Sequence, residues 1–130
     1  MAKAKAKRAV HLSELQFAVM RVLWKRGEAS TADVVADLGA KRGLAPTTLA
    51  TLLTRLEKRG VLRARRDGRT LIYRALVTEQ QVQRSMVAAL VATLFKGDPA
   101  ALVAHLVREE DVAPGDLAKI RARLEEDARD

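Results

Sequence analysis

From Leu15 onward the apolar residues fall at helical spacing. Leu15, Ala18, Val19, Val22 and Leu23 share one face of a helix, with Ser13 placed to cap its start and Gly27 to stop it. A second, short helix is predicted through Val34, Val35 and Leu38, capped by Ser30 or Thr31 and ended by Gly39. Lys41 to Leu44 read as a turn, and Pro46 opens a third helix, APTTLATLLTRLEKRG, because proline suits the first helical position. At about 100° per residue, Leu49, Leu52, Leu53 and Leu56 form its apolar face. Thr47, Thr51, Thr54 and Lys58 lie opposite, flanked by Thr48, Ala50 and Arg55, and Gly60 ends the helix.

The period then changes from helical to alternating. Val61 to Arg66 and Arg69 to Leu76 read as two strands joined by an Asp67-Gly68 turn, a common two-residue hairpin signal. Such a turn sets Arg66 opposite Arg69, Ala64 opposite Leu71 and Leu62 opposite Tyr73, on a face that packs. The other face carries Arg63, Arg65, Thr70, Ile72 and Arg74. Beyond Thr78 the helical rhythm returns. Val82, Met86, Ala89, Leu90 and Leu94 form a stripe ended by Gly97. Asp98-Pro99 starts a further helix with Leu102, Val103, Leu106 and Val107 on its apolar face. Pro114 and Asp116 start a last one with Leu117, Ile120 and Leu124 at coiled-coil-like spacing.

Three helices followed by a hairpin is the order of a winged helix-turn-helix. The fold class expected is therefore mainly α with a small β hairpin: a winged helix-turn-helix over residues 12–77 and a C-terminal helical dimerisation segment over 78–130. The basic stretch 1–11 is expected to be a disordered tail. The C-terminal stripes hold more apolar surface than so short a segment hides against itself. Val82, Met86, Leu90, Leu94, Leu102, Val103, Leu106, Leu117, Ile120 and Leu124 are accordingly expected to form a homodimer interface.

Charge sharpens this picture. The net charge is +8, and it is concentrated: residues 41–74 hold ten Lys/Arg against two Asp/Glu, whereas residues 75–130 hold seven against ten. The basic block coincides with the third helix and the hairpin, so a polyanion is the expected partner of that region. Small hydroxyls at Thr47, Thr48, Thr51 and Thr54, with Arg55 and Lys58, suit close approach to a major-groove floor. Arg63, Arg65, Arg66, Arg69 and Arg74 suit the phosphate backbone, where guanidinium groups fix register without reading sequence. Double-stranded DNA is the expected ligand.

Other chemistry finds little purchase. There is no cysteine, which removes disulfides, thiolate metal sites and a thiol nucleophile. His11 and His105 lack carboxylates at metal-ligand spacing, and Glu109-Glu110-Asp111 is one adjacent run, so no metal and no cofactor is expected and no enzyme activity. No stretch reaches the ~20 apolar residues of a membrane span, and a cytoplasmic protein without membrane insertion is expected.

The chain also resembles the penicillinase-repressor family, the BlaI/MecI/CopY group of bacterial winged-helix repressors, from Leu12 to about Asp127. The resemblance rests on ELQFAVMRVLW, PTTLATLLTRLEKRGVL, GRTLIYRALV and LFKGDPAALVAHLVREED. Thr48, Thr51, Leu52, Thr54, Arg55, Leu56 and Gly60 match the family's recognition helix and its end, and Tyr73 matches the terminal tyrosine of its wing. The resemblance implies homodimeric transcriptional repressors on palindromic operators, with residues 46–59 in the major groove and 61–76 on the backbone. In the β-lactam-responsive members it implies release through a membrane sensor-protease system that leads to cleavage in the dimerisation region. The bond corresponding to the family's Asn-Phe site falls at His105-Leu106. An arginine common on the recognition helix falls at Ala50, and the missing cysteines exclude the copper-responsive cluster. Two other classes fit the same residues: a non-specific architectural DNA-binding protein using the Lys-rich tail and wing, and a protein-interaction module docking on an acidic partner.

Overall fold

The computed structural model describes residues 9–109, 112–113 and 115–129. The elements run α1 (Glu14–Arg26), β1 (Glu28–Ser30), α2 (Thr31–Val34), a π-helical turn (Val35–Gly39), α3 (Ala40–Arg42), α4 (Pro46–Lys58), β2 (Leu62–Asp67), β3 (Thr70–Ala75), α5 (Glu79–Leu94), α6 (Pro99–Arg108) and α7 (Asp116–Arg129). They form two compact units, one of the described residues up to Val87 and one from Ala88 onward. The expectations for residues 1–8, Pro114, Glu110 and Asp111 lie outside the described residues.

In the first unit, Ser13 caps α1 through a reciprocal box: its hydroxyl accepts from the Gln16 N–H while the Gln16 side chain accepts from the Ser13 N–H. Ser30 and Asp33 make the same box at α2, and Thr78 and Gln81 make it ahead of α5. The core between these elements is aliphatic. Leu12, Val19, Met20, Leu23, Val34, Leu49, Leu53, Leu56, Leu62 and Val82 are fully or almost fully buried, with Tyr73 closing one side. Trp24 packs at the edge and donates its indole N–H to the Val77 carbonyl at 2.9 Å.

Two expectations are corrected here, and a third is extended. First, the second helix does not end at Gly39. Gly39 has helical φ, and the chain continues through the π turn into α3. The stop falls at Gly43, whose φ of 64° is the left-handed conformation that glycine adopts without a Cβ clash. Gly39 serves packing instead, since a Cβ there would lie 3.3 Å from Val35 Cγ1 and 3.4 Å from the Leu44 carbonyl oxygen.

Second, the hairpin turn is Gly68-Arg69, with Asp67 paired to Thr70. Gly68 takes a φ of 62° at the first loop position, and Arg69 is not among the residues with positive φ. That is the φ pattern of a turn with glycine first; an Asp-Gly loop would have required Asp67 in the left-handed region. The register becomes Leu62 opposite Ala75, Ala64 opposite Tyr73 and Arg66 opposite Leu71. Partners move by two residues, so the side chains that remain on the strands keep their expected face, although Arg69 now sits in the loop and Leu71 is exposed.

Third, the hairpin is part of a three-stranded antiparallel sheet in the order β1-β3-β2, with Glu28, Ala29 and Ser30 against Arg74, Tyr73 and Ile72. Ala29 joins Tyr73 on the buried face, while Glu28 lies beside Arg74 on the outer one.

The second unit is helical. Asp98 caps α6 by accepting from the Ala100 N–H at 3.0 Å, and Pro99 follows at the first helical position. Among the described residues no single helix is long and apolar enough to cross a membrane.

Candidate nucleic-acid interface

The residues singled out on the third helix divide as the helical period requires. Leu49, Leu53 and Leu56 are completely buried, Leu52 is half-buried, and Thr47, Thr48, Thr51, Thr54, Arg55 and Lys58 are all exposed on α4. The threonines are less free than exposure suggests. Thr51 Oγ1 donates to the Thr47 carbonyl at 2.9 Å and Thr54 Oγ1 donates to the Ala50 carbonyl at 3.0 Å. With its proton turned back to the helix, each hydroxyl oxygen faces outward as an acceptor beside its methyl group.

On the sheet the five expected arginines separate into two kinds. Arg65 is held by Glu28 in a two-pronged ion pair, Nε and Nη2 each 3.1 Å from a carboxylate oxygen. The hydrogen bonds from Arg65 hold the Glu28 carboxyl below its ordinary range, with the charges of Arg65 and Arg74 adding to the effect. The same contact raises the Arg65 guanidinium. Arg63, Arg66, Arg69 and Arg74 are exposed and have no carboxylate within ion-pair distance among the described residues. Arg63 stands directly opposite Arg74, a like-charge pairing that an external anion would relieve.

Elsewhere in this unit, cations that look equivalent in the sequence are already spent on the fold. Arg42 grips Glu14 at 2.7 and 2.9 Å, and Arg26 grips Asp37 at 2.8 and 2.9 Å. Arg59 donates to the His11 carbonyl at 2.7 Å, tying the end of α4 to the segment before α1. Six cations without a carboxylate partner among the described residues, Arg55, Lys58, Arg63, Arg66, Arg69 and Arg74, thus lie on α4 and the hairpin, while Lys25, Lys41 and Arg84 are unpaired elsewhere in the unit. Glu28 was not singled out from the sequence. A three-residue strand carries too little alternation to be recognised, and the Arg65 contact bridges 37 positions.

The residues expected at a dimer interface do not stay together. Val82 is a correction: it has no exposed surface and belongs to the core of the first unit, and Met86 packs against that core. A periodic stripe shows that a face is buried without showing by what. Leu90, Leu94, Val103, Leu117, Ile120 and Leu124 are exposed, whereas Leu102 and Leu106 are half-buried. Val87 and Val107 are also exposed and were not assigned to the interface. His105 is exposed, with its ring 5.8 Å from that of Phe95. The His105-Leu106 bond lies inside α6, where the His105 carbonyl accepts from the Glu109 N–H at 3.0 Å.

The family model described as "Penicillinase repressor" matches residues 12–126. The methicillin resistance regulatory protein MecI of Mammaliicoccus sciuri is 26% identical over 110 residues, covering 85% of this chain and 89% of MecI. The penicillinase repressor of Bacillus licheniformis is 23% identical over 120 residues, covering 92% of this chain and 94% of that protein. Among solved structures, the DNA-binding domain of the repressor BlaI superposes with a TM-score of 0.52 at 31% identity, covering 58% of this chain and 92% of that domain. The monomeric form of B. licheniformis BlaI in complex with the blaP half-operator gives 0.50 at 30% identity, covering 57% and 90%.

Proposed function

The chain belongs to the penicillinase repressor family, and on that premise we propose that it is a DNA-binding transcriptional repressor that sits as a homodimer on a palindromic operator. The observation that carries the reading is the sorting of charge on the winged unit. Exposed Thr, Arg and Lys side chains of α4 adjoin a hairpin whose Arg63, Arg66, Arg69 and Arg74 lack carboxylate partners among the described residues, while Arg21, Arg26 and Arg42 elsewhere in the unit are ion-paired internally. The solved complex of BlaI with a half-operator supports the choice of DNA as the anion.

In this reading α4 enters the major groove. Thr51 and Thr54 offer acceptor oxygens and methyl groups, which suit the amino groups of adenine or cytosine and the thymine methyl. Arg55 and Lys58 add base or phosphate contacts. The hairpin lies on the adjoining backbone, and its guanidinium groups position the protein without selecting sequence. The exposed apolar side chains Leu90, Leu94, Val103, Leu117, Ile120 and Leu124 form the contact between two copies, because a two-fold protein matches a two-fold site.

Release follows from cutting this contact region. Scission at His105-Leu106, in a β-lactam or cell-wall stress response relayed by a membrane sensor-protease, would separate α7 from the body of α6. The bond is helical, so the segment must unwind locally before a protease can hold it extended.

Footprinting on DNA from the regulated promoter tests the function. Protection of an imperfect palindrome with half-site centres ~10 bp apart is expected. Binding no tighter than to random DNA at ~150 mM salt would remove sequence-specific repression and leave an architectural role.

A further inference from the structure

The first unit contains a groove of about 860 Å³ on the side of α1 that carries Ala18, Arg21 and Lys25. None of the DNA-contact residues proposed above lines it. Its volume falls in the range of small-molecule sites, ~300–1,000 Å³, and such sites combine apolar walls with a few polar groups. The apolar lining comes from Leu12, Phe17, Ala18, Val22, Leu38, Met86 and Val87, the last of these 51% exposed although it is a branched aliphatic side chain.

The polar part is lopsided in charge. Asp37 lines the groove and is fully engaged by Arg26, and Lys25 and Lys41 line it as well. Both lysines lie close enough to draw the Asp37 carboxyl below its ordinary range, after the larger effect of the Arg26 hydrogen bonds. The other acidic lining residue, Glu14, is engaged by Arg42. Neither lysine has a carboxylate within ion-pair distance among the described residues. The two acids are thus neutralised by arginines, and two ammonium groups remain beside an apolar floor.

A π-helical turn supplies part of the wall. Asp37 and Leu38 both come from Val35–Gly39, and the Leu44 N–H closes onto the Gly39 carbonyl at 2.9 Å just before α4 begins. Such turns are uncommon and are found disproportionately where a helix serves a site.

We propose that this groove binds a small amphipathic carboxylate, its carboxylate between Lys25 and Lys41 and its hydrocarbon body on Val22, Leu38, Met86 and Val87. Charge complementarity selects an anion over a neutral apolar molecule, and the apolar wall selects it over inorganic phosphate. The site stands whether or not the protein binds an operator, because nothing in the geometry of the groove depends on DNA.

Heteronuclear NMR on the full chain tests it, with 4-phenylbutyrate as probe and 4-phenylbutanol as its neutral counterpart. Saturable shifts are expected at the amides of Lys25, Asp37, Leu38 and Lys41, with the alcohol at least about tenfold weaker, the size of losing one charge-assisted contact. Lys25→Ala with Lys41→Ala should remove that preference while leaving the spectrum folded, since both side chains are exposed. The proposal is overturned by equal affinity for acid and alcohol, by shifts confined to residues after Val87, or by no saturable shift at all. Concentration-dependent shifts at the same amides without any probe would give the groove to a second copy of the chain, and would overturn it too.

Discussion

Replacing Arg66 by alanine and, separately, Arg65 by alanine should give different salt dependences for DNA binding, although the two residues are neighbours on one strand. Arg66 has no carboxylate partner among the described residues, so a phosphate it meets displaces a counterion from DNA. Arg65 is already neutralised by Glu28 at 3.1 Å. Each phosphate neutralised on duplex DNA contributes about 0.9 to the slope of log K against log salt, so Arg66→Ala in both protomers of the proposed homodimer should flatten the slope by roughly 1.8. Between about 50 and about 200 mM salt that difference amounts to roughly 12-fold in relative affinity. Arg65→Ala should leave the slope nearly unchanged. Glu28→Gln should steepen it by up to about 1.8, because the released guanidinium becomes available to a phosphate in each half-site. Fluorescence anisotropy of a labelled operator fragment across a salt series measures all three. Equal flattening by Arg65→Ala and Arg66→Ala would refute the division of the wing arginines into engaged and free, and so would a Glu28→Gln slope identical to the wild type.

Other expectations follow from packing and titration. Leu53 has no exposed surface in the core beneath α4, so Leu53→Ala should cost about 2–5 kcal/mol in urea unfolding. Loss of DNA binding with unchanged stability would contradict its purely structural role. Glu14 and Glu28 have carboxyl groups held below their ordinary values by Arg42 and Arg65, so their contribution to stability is present above the unfolded-state value, about 4.3 for Glu, and is lost as pH falls through the lower folded-state values. Carboxyl NMR titration should place both below the ordinary glutamate value of about 4.3, and thermal stability should fall on acidification below about pH 4.3. Leu94→Glu with Leu124→Glu puts charge on two side chains that are each 64% exposed, so sedimentation should show monomers with the winged unit still folded. An unchanged dimer would move the interface elsewhere.

The parts of the fold legible in the sequence are those in which one local rule decides. The faces of α4 follow from Pro46 and the leucine period alone, and the cap at Ser13 follows from one side chain and its neighbours. The hairpin faces were legible because strand alternation survives a two-residue change in pairing. The turn itself was not, since Asp67-Gly68 and Gly68-Arg69 loops differ only in which residue takes the positive φ. Gly39 was read as a helix stop because glycine commonly is one, whereas close packing against Val35 and Leu44 sets its role. Val82 shows the limit of periodicity most plainly, since its stripe continues along α5 while its burial belongs to the core of the first unit. Glu28 was illegible for a related reason: its partner becomes its neighbour only once β1 has joined the sheet.

Competition between an operator fragment and a scrambled duplex of the same length, measured at ~150 mM salt, tests the central claim most directly. A dimeric repressor that reads bases through α4 should prefer its operator by at least about 10³, and Thr51→Ala should lose roughly 1–3 kcal/mol of that preference while binding scrambled DNA as before. A ratio near one, with Arg66→Ala weakening both duplexes alike, would contradict sequence-specific repression.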